Sequence, residues 1–480
     1  MHLHRHLGQY EVRLGRTGAP VADRWMVAIL GGEGFMTNAG WGIVSVAVAL
    51  LCLQVGLAGP WPNWRGPHFN GSADERGLPE SWTDTENVLW TAALPGPAAS
   101  TPAVCDGKVF VSSEVKGSDD LVALCFDVRT GRQLWSATVG RSDRNFPRNN
   151  LATPSPTTDG RHAFFLYGSG DLAALDFDGN IVWSRNIEAE YGNITCQFGY
   201  GASPVAFEGR LYIPVLRRDR AWREPREGEP FDSFLLAVDP ATGKTLWRHV
   251  RASDAQDESL DSYATPIPFR NGGRTEIVLV GGDYVTAHDP ETGRELWRYC
   301  YATDRRDTRW RLIPSVVTGA GMVFGVQPRG GNDLFAIRAD GADGVLSQDR
   351  IAWAFDRMTP DVPTPLFYQG WLYVLDGTRN GKVVTRLDPT TGRVEWHGRI
   401  GGGGPWRASL TAADGKLYCI NEDSEVIVLS AGDEFRILHR FDMNDKPVQA
   451  SIAIAEARLF LRTASKLTCI GKKEGRGSAD

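Results

Sequence analysis

The stretch Asp239-Pro-Ala-Thr-Gly243-Lys-Thr-Leu-Trp247 decides the reading of the chain. The same pattern, D-x-x-T-G-x-x-x-W, returns at Asp127–Trp135, Asp289–Trp297 and Asp388–Trp396. Worn copies stand at Asp176–Trp183, Arg338–Trp353 and Ser430–Leu438. Each unit reads as a hairpin. An alternating strand such as LLAVD leads in, Asp and Pro start the turn, and Gly supplies the positive φ that closes it. The returning strand carries a Trp whose broad apolar face suits packing between neighbouring sheets.

Two more strands precede each hairpin. The first often opens with a small residue, Ser or Thr, then Pro: Ser100-Thr101-Pro102, Ala152-Thr153-Pro154, Ala202-Ser203-Pro204 and Ala264-Thr265-Pro266. Ala408-Ser409 and Ala450-Ser451 lack the proline. The second reads KVFVSS, RLYIPV, WLYVLD, KLYCIN or RLFLRT. One repeat is therefore four short strands.

Fourth-strand anchors fall at Trp90, Trp135, Trp183, Trp247, Trp297, Trp353, Trp396 and Leu438. Their mean spacing of about 50 residues exceeds the ~40–45 of a WD-type repeat. Before Trp90 there is no room for three strands, and after Leu438 three strands follow without a fourth. The N-terminal strand around Trp90 can complete the last sheet, which closes a ring and removes the free edge. The expectation is an all-β protein: an eight-bladed β-propeller of four-stranded antiparallel blades over residues 85–471. A lead-in segment, 59–84, precedes it and a charged tail, 472–480, follows.

Composition agrees with a globular chain. Of 480 residues, 42% are hydrophobic and 23% charged, with 52 Lys and Arg against 58 Asp and Glu. The acidic balance argues against a nucleic-acid partner. Seven cysteines without a CxxC pair exclude a disulfide scaffold. The single long apolar run, Ile43–Leu57, is short for a membrane span and suits a signal-peptide core. Gly56-Leu57-Ala58 is an acceptable cleavage site, so residues 1–58 read as a leader: a doubtful extension over 1–35, then a signal peptide over 36–58 beginning at Met36. Export to the periplasm or cell envelope follows. A lipid anchor at Cys52 is weakly supported, because Leu51 stands where a small residue belongs.

The L-x-A-L-D and D-x-x-T-G-x-x-x-W units, with their (A/S)-(S/T)-P strands, resemble the pyrroloquinoline quinone (PQQ) repeat. That family includes quinoprotein alcohol dehydrogenases and the propeller lipoprotein of the outer-membrane β-barrel assembly machinery. Trp61-Pro-Asn-Trp64-Arg65-Gly66-Pro67 is also similar to exported bacterial PQQ-like propellers. The resemblance spans residues 61–471 and implies the propeller fold. In the dehydrogenases it further implies PQQ and Ca²⁺ on the axis under a ring of two adjacent cysteines. Here the cysteines stand alone at 52, 105, 125, 196, 300, 419 and 469, and the family's calcium ligands and catalytic Asp have no recognisable counterpart.

Other chemistry is thin. Asp254, Asp257, Glu258 and Asp261 match no calcium loop and read as a solvated acidic loop. The segments Arg217–Arg226 and Arg305–Arg311 read as solvated loops, with a partner-facing role as the sharper alternative. The histidines lack zinc spacing. The cysteines within strands read as buried thiols. In a propeller, the loops that enter the first strands ring one mouth of the axial channel. The polar and aromatic residues there are Asn149, Asn150, Tyr200, Tyr263, Trp310, Arg311, Trp406, Arg407 and Gln449. The expected function is a monomeric, non-catalytic scaffold that binds envelope proteins and needs no cofactor or metal. The alternatives are a PQQ- and calcium-dependent dehydrogenase and a small-ligand or glycan binder at the axial mouth.

Overall fold

The computed structural model describes residues 12–14, 59–146, 148–194, 196–218, 228, 231–302, 311–327, 334–355 and 360–472. Its strands form eight sheets in a ring. Blade 1 shows the plan: Ala103–Cys105, Lys108–Glu114, Asp120–Asp127 and Gln133–Arg141 pair antiparallel in chain order. Blades 2 to 7 repeat it over 157–186, 205–250, 267–300, 317–355, 366–399 and 411–442. Blade 8 holds Ala453–Ala455, Arg458–Arg462 and Lys466–Ile470. Its outer strand is Val88–Ala93, with Trp90 opposite Cys469. The N-terminal strand thus closes the ring, as the strand count predicts.

The repeat motif works across blades as well as within them. In the hairpin at Asp239, Oδ1 accepts the amides of Ala241 and Thr242 at 3.0 and 2.8 Å. Gly243 lies at φ +72°, and a Cβ there would sit 2.6 Å from Cδ2 of Trp183, the tryptophan of the preceding blade. That indole donates Nε1–H to Pro240 O at 2.8 Å. The same indole-to-turn bond links Trp90 to Val128, Trp135 to Phe177, Trp247 to Pro290, Trp353 to Pro389 and Trp396 to Gly432. The glycine both turns the hairpin and forms the floor on which the previous tryptophan lies.

Trp297 is the exception. The next turn is the worn copy around Gly341, so its Nε1–H goes instead to Glu276 Oε2 of its own blade at 2.8 Å. An added parallel strand, Gly344–Leu346, covers that blade's outer edge. Val12–Leu14, within the segment read as leader, pairs antiparallel with the outer strand Ile351–Phe355 of blade 5.

A second ring of contacts surrounds the axis. The amide of Thr101 donates to Ser155 Oγ, Ser155 to Ser203, Ser203 to Thr265 and Thr265 to Ser315. The series continues from Ser315 to Thr364, Thr364 to Ser409, Ser409 to Ser451, and Ser451 back to Thr101. All eight bonds measure 2.8–3.1 Å. The (A/S)-(S/T)-P signature is therefore the hydroxyl collar of the axis. Blade 2 departs from the sequence reading: Ser155 occupies the collar, while Thr153 Oγ1 turns back to Asn150 O at 2.7 Å.

Buried arginines tie blades together through main-chain carbonyls. Arg462 in blade 8 reaches Ser112 O and Gly96 O at 2.7 and 3.1 Å. Arg251 reaches Gly281 O and Tyr284 O of blade 4 at 2.6 and 2.5 Å. Arg217 is one of these buried residues, bonded to Asn193 O and Tyr191 O at 2.7 and 2.9 Å. The solvated or partner-facing reading of Arg217 is corrected accordingly; residues 219–226 of that segment lie outside the described residues. The six described cysteines are free thiols, and Cys125, Cys196, Cys419 and Cys469 are buried. The leader beyond 12–14, including Met36 and Cys52, and the tail from 473 also lie outside the described residues.

Candidate functional site: a blind axial cavity

The lead-in segment crosses the face of the ring opposite the mouth. Trp61 bridges Val104 of blade 1, and Thr158 of blade 2 donates its amide to Pro62 O at 2.9 Å. Arg65, wholly buried, donates to Leu410 O and Pro365 O at 3.1 and 2.9 Å, spanning blades 6 and 7. Burial lowers its pKa to about 9, still well above neutrality. The segment therefore passes beneath the axis, and Trp64 lies at the closed end of the channel.

Above Trp64 is a cavity of about 250 Å³. Five collar hydroxyls line it: Ser155, Ser203, Thr265, Ser409 and Ser451. Arg148, Asn149, Tyr263, Arg311, Arg407, Gln449 and Asp361 stand around its walls, with Phe198, Ile313 and Val362 as apolar patches. Arg311 lies 4.8 Å from the Phe198 ring centroid and is ion-paired with Glu258. Arg148 approaches the same ring at 5.9 Å. Arg407 faces Glu422 at 3.4 Å. A larger neighbouring space of about 560 Å³ lies between the mouth loops and shares Arg148, Asn149 and Gln449 with the axial cavity.

The structure brings Asn149, Tyr263, Arg311, Arg407 and Gln449 together around the axial cavity. Asn150 lines the neighbouring space instead. Tyr200 and Trp406 turn away into the core. Tyr200 donates its hydroxyl to Pro214 O at 2.5 Å, and the Trp406 indole donates to Gly401 O at 2.8 Å. Trp310 lies outside the described residues. Sequence reasoning missed Trp64, Arg148, Phe198 and Asp361. Only Trp64 carried a signal, its place in the WPNWRGP segment, and nothing local placed that segment beneath the axis.

The acidic loop also differs from its reading. Asp261 is fully buried. Its Oδ2 accepts the Gln197 amide at 2.8 Å, while Oδ1 has no partner among the described residues. Burial raises its pKa to about 7, with Glu258 adding to the rise and Arg218 and Arg311 opposing it. Loop closure explains the position: Leu312 donates its amide to Asp261 O and Tyr263 donates to Leu312 O.

Among the described residues no group of three carboxylate, histidine or cysteine side chains could hold a metal. Among the described residues that line the axial cavity, Asp361 is the single carboxylate.

The closed ring, the four-stranded blades and the repeat define a PQQ-like propeller. The profile of the family described as outer membrane protein assembly factor BamB matches residues 73–215, 232–363 and 343–478, and the chain belongs to that family. No curated protein matches the sequence. Among solved structures, BamB from Moraxella catarrhalis is 12% identical. The match covers 80% of this chain and 98% of that one, with a TM-score of 0.54. A europium-containing methanol dehydrogenase is 11% identical over 84% of this chain and 89% of its own, with a TM-score of 0.60. A quinohemoprotein alcohol dehydrogenase from Comamonas testosteroni is 13% identical over 86% and 81%, at 0.56. At these identities the structural likeness is one of fold.

Proposed function

We propose that this protein is an exported, monomeric, non-catalytic propeller that serves as a protein-binding scaffold in the cell envelope, without PQQ or calcium. Membership of the assembly-factor family supports the envelope reading, and the signal-peptide pattern at residues 36–58 supports export. The observation that carries the binding role is an apolar strip on the outer rim. Ile181 and Val182 of blade 2 and Leu246 and Val250 of blade 3 are 45–47% exposed. They lie on adjacent outer strands, Ile181–Asn186 and Thr245–Val250. Arg185 spans the two strands, donating to Gly243 O and Thr245 Oγ1 at 2.6 and 3.0 Å. Blade 4 has its outer edge covered by an added strand that the exported chain keeps. Among the described residues the rims of blades 2 and 3 do not, so each offers both apolar side chains and unpaired strand-edge groups.

The test is site-specific photocrosslinking in cells, with a benzophenone amino acid at Val182 and at Leu246. A discrete adduct with one envelope protein is expected at both positions, and the Leu246 adduct should be lost in a Val182→Asp variant. A chain retained in the cytoplasm, or no adduct at either site, would overturn the reading.

A further inference from the structure

The axial cavity is rich in hydrogen-bond donors. Each collar hydroxyl accepts a neighbouring amide through its oxygen. Among the described residues none of the five that line the cavity has an acceptor for its own hydrogen. Tyr263 repeats the device: its oxygen accepts the Phe198 amide at 3.1 Å, and its hydrogen is left over. Asn149 uses its carbonyl oxygen to accept Thr153 Oγ1, which leaves its Nδ2 donor group available. Three guanidinium groups add cationic donors. Arg311 and Arg407 are braced from outside by Glu258 and Glu422, whereas Arg148 has no carboxylate partner among the described residues. The acceptors among the described lining residues are the second lone pairs of these hydroxyl oxygens, the Gln449 carbonyl oxygen and one carboxylate, Asp361.

A carboxylate brings acceptors only, so its oxygens can take the spare hydroxyl hydrogens and the guanidinium donors together. Charge-assisted bonds from guanidinium and hydroxyl donors to a carboxylate are also the stronger class. The closed end is not polar: Trp64 offers an aromatic surface, with Ile313 and Val362 beside it. The volume falls just below the roughly 300 Å³ at which drug-sized pockets begin.

We propose that the blind axial cavity binds a small organic carboxylate without a metal, its oxygens held by the collar and Tyr263 hydroxyls and by Arg148, its carbon body against Trp64. This stands apart from the rim-docking reading, since the cavity lies on the axis and Ile181, Val182, Leu246 and Val250 lie on the outside.

The test is isothermal titration of the full-length protein in EDTA with benzoate and with citrate, beside inorganic phosphate and the neutral isostere benzamide. Saturable 1:1 binding of at least one carboxylate is expected, with benzamide and phosphate at least about tenfold weaker. Arg148→Gln, which removes no ion pair among the described residues, and Tyr263→Phe should each weaken the carboxylate about tenfold, the loss of one charge-assisted bond. Unchanged thermal unfolding of Arg148→Gln keeps the comparison valid. Binding of neither carboxylate overturns the proposal, as does affinity unaltered in both variants. Phosphate binding as tightly would make the site an inorganic oxyanion site and overturn the organic assignment. A requirement for added calcium would overturn the metal-free mode.

Discussion

Gly209 and Gly243 form a matched pair that separates two roles of a turn glycine. Both have φ +72°. A Cβ at Gly209 would meet nothing within 4 Å, whereas one at Gly243 would meet Trp183 Cδ2, Cε3 and Cγ at 2.6, 2.8 and 3.0 Å. Alanine at either position carries the same left-handed backbone strain, about 1–2 kcal/mol. At Gly243 the new methyl group must also displace the indole and stretch its 2.8 Å bond to Pro240 O. Overpacking of this kind costs about 1–3 kcal/mol more. Gly209→Ala should therefore lower stability by about 1–2 kcal/mol and Gly243→Ala by about 2–5 kcal/mol. Urea unfolding followed by far-UV circular dichroism reads the difference, provided the two variants share the wild-type denaturant slope. Equal losses would refute the idea that the repeat glycine seats the tryptophan of the preceding blade, and would reduce it to a turn residue.

The remaining predictions use the same structure. Thr265→Val keeps the shape but removes the acceptor for the Ser203 amide at 3.0 Å; the buried N–H left behind should cost about 1–3 kcal/mol, and hydrogen exchange at the Ser203 amide should speed up, with unchanged exchange counting against the collar. Asp261 has a folded pKa of about 7 against its ordinary 3.8, so it stays neutral and costs nothing at acid pH, and its cost grows as pH rises to about 7. Asp261→Asn should then match wild type near pH 4 and exceed it above pH 7 by up to about 4 kcal/mol; a gain at acid pH alone would reverse the sign and refute the argument. N-terminal sequencing of the exported protein should begin at Gly59, and recovery of Val12–Leu14 in mature material would show that the strand beside blade 5 belongs to the working protein. Deleting Val88–Ala93 removes the outer strand of blade 8 and should replace the cooperative unfolding transition with a broad one, where retention of a sharp transition would show that the ring does not depend on this closure.

The sequence by itself determined the blade. Strand, turn and returning strand are local, and D-x-x-T-G-x-x-x-W encodes them within nine residues through an Asx turn, a positive φ and an apolar face. Counting anchors then gave eight blades and the shared last sheet, because a strand missing at one end and a surplus strand at the other can be satisfied only by closure. Five residues of the axial cavity were also legible, since the loop before each first strand must lie near the axis. The tertiary structure decided what depends on neighbours distant in sequence. That the repeat glycine serves the tryptophan one blade earlier, and that Ser155 rather than Thr153 completes the collar, are facts about ring geometry. Tyr200 and Trp406 belong to the same loops as their neighbours at the mouth, yet carbonyls within reach, Pro214 O and Gly401 O, draw them into the core. Trp64 closes the cavity only because the lead-in chain bridges blades whose residues lie 300 and 345 positions further along, anchored by one buried arginine. Periodicity carries the first kind of information, because each copy restates it. The second kind arises once, where the ring closes and the chain crosses it, and has no repeat in which to be read.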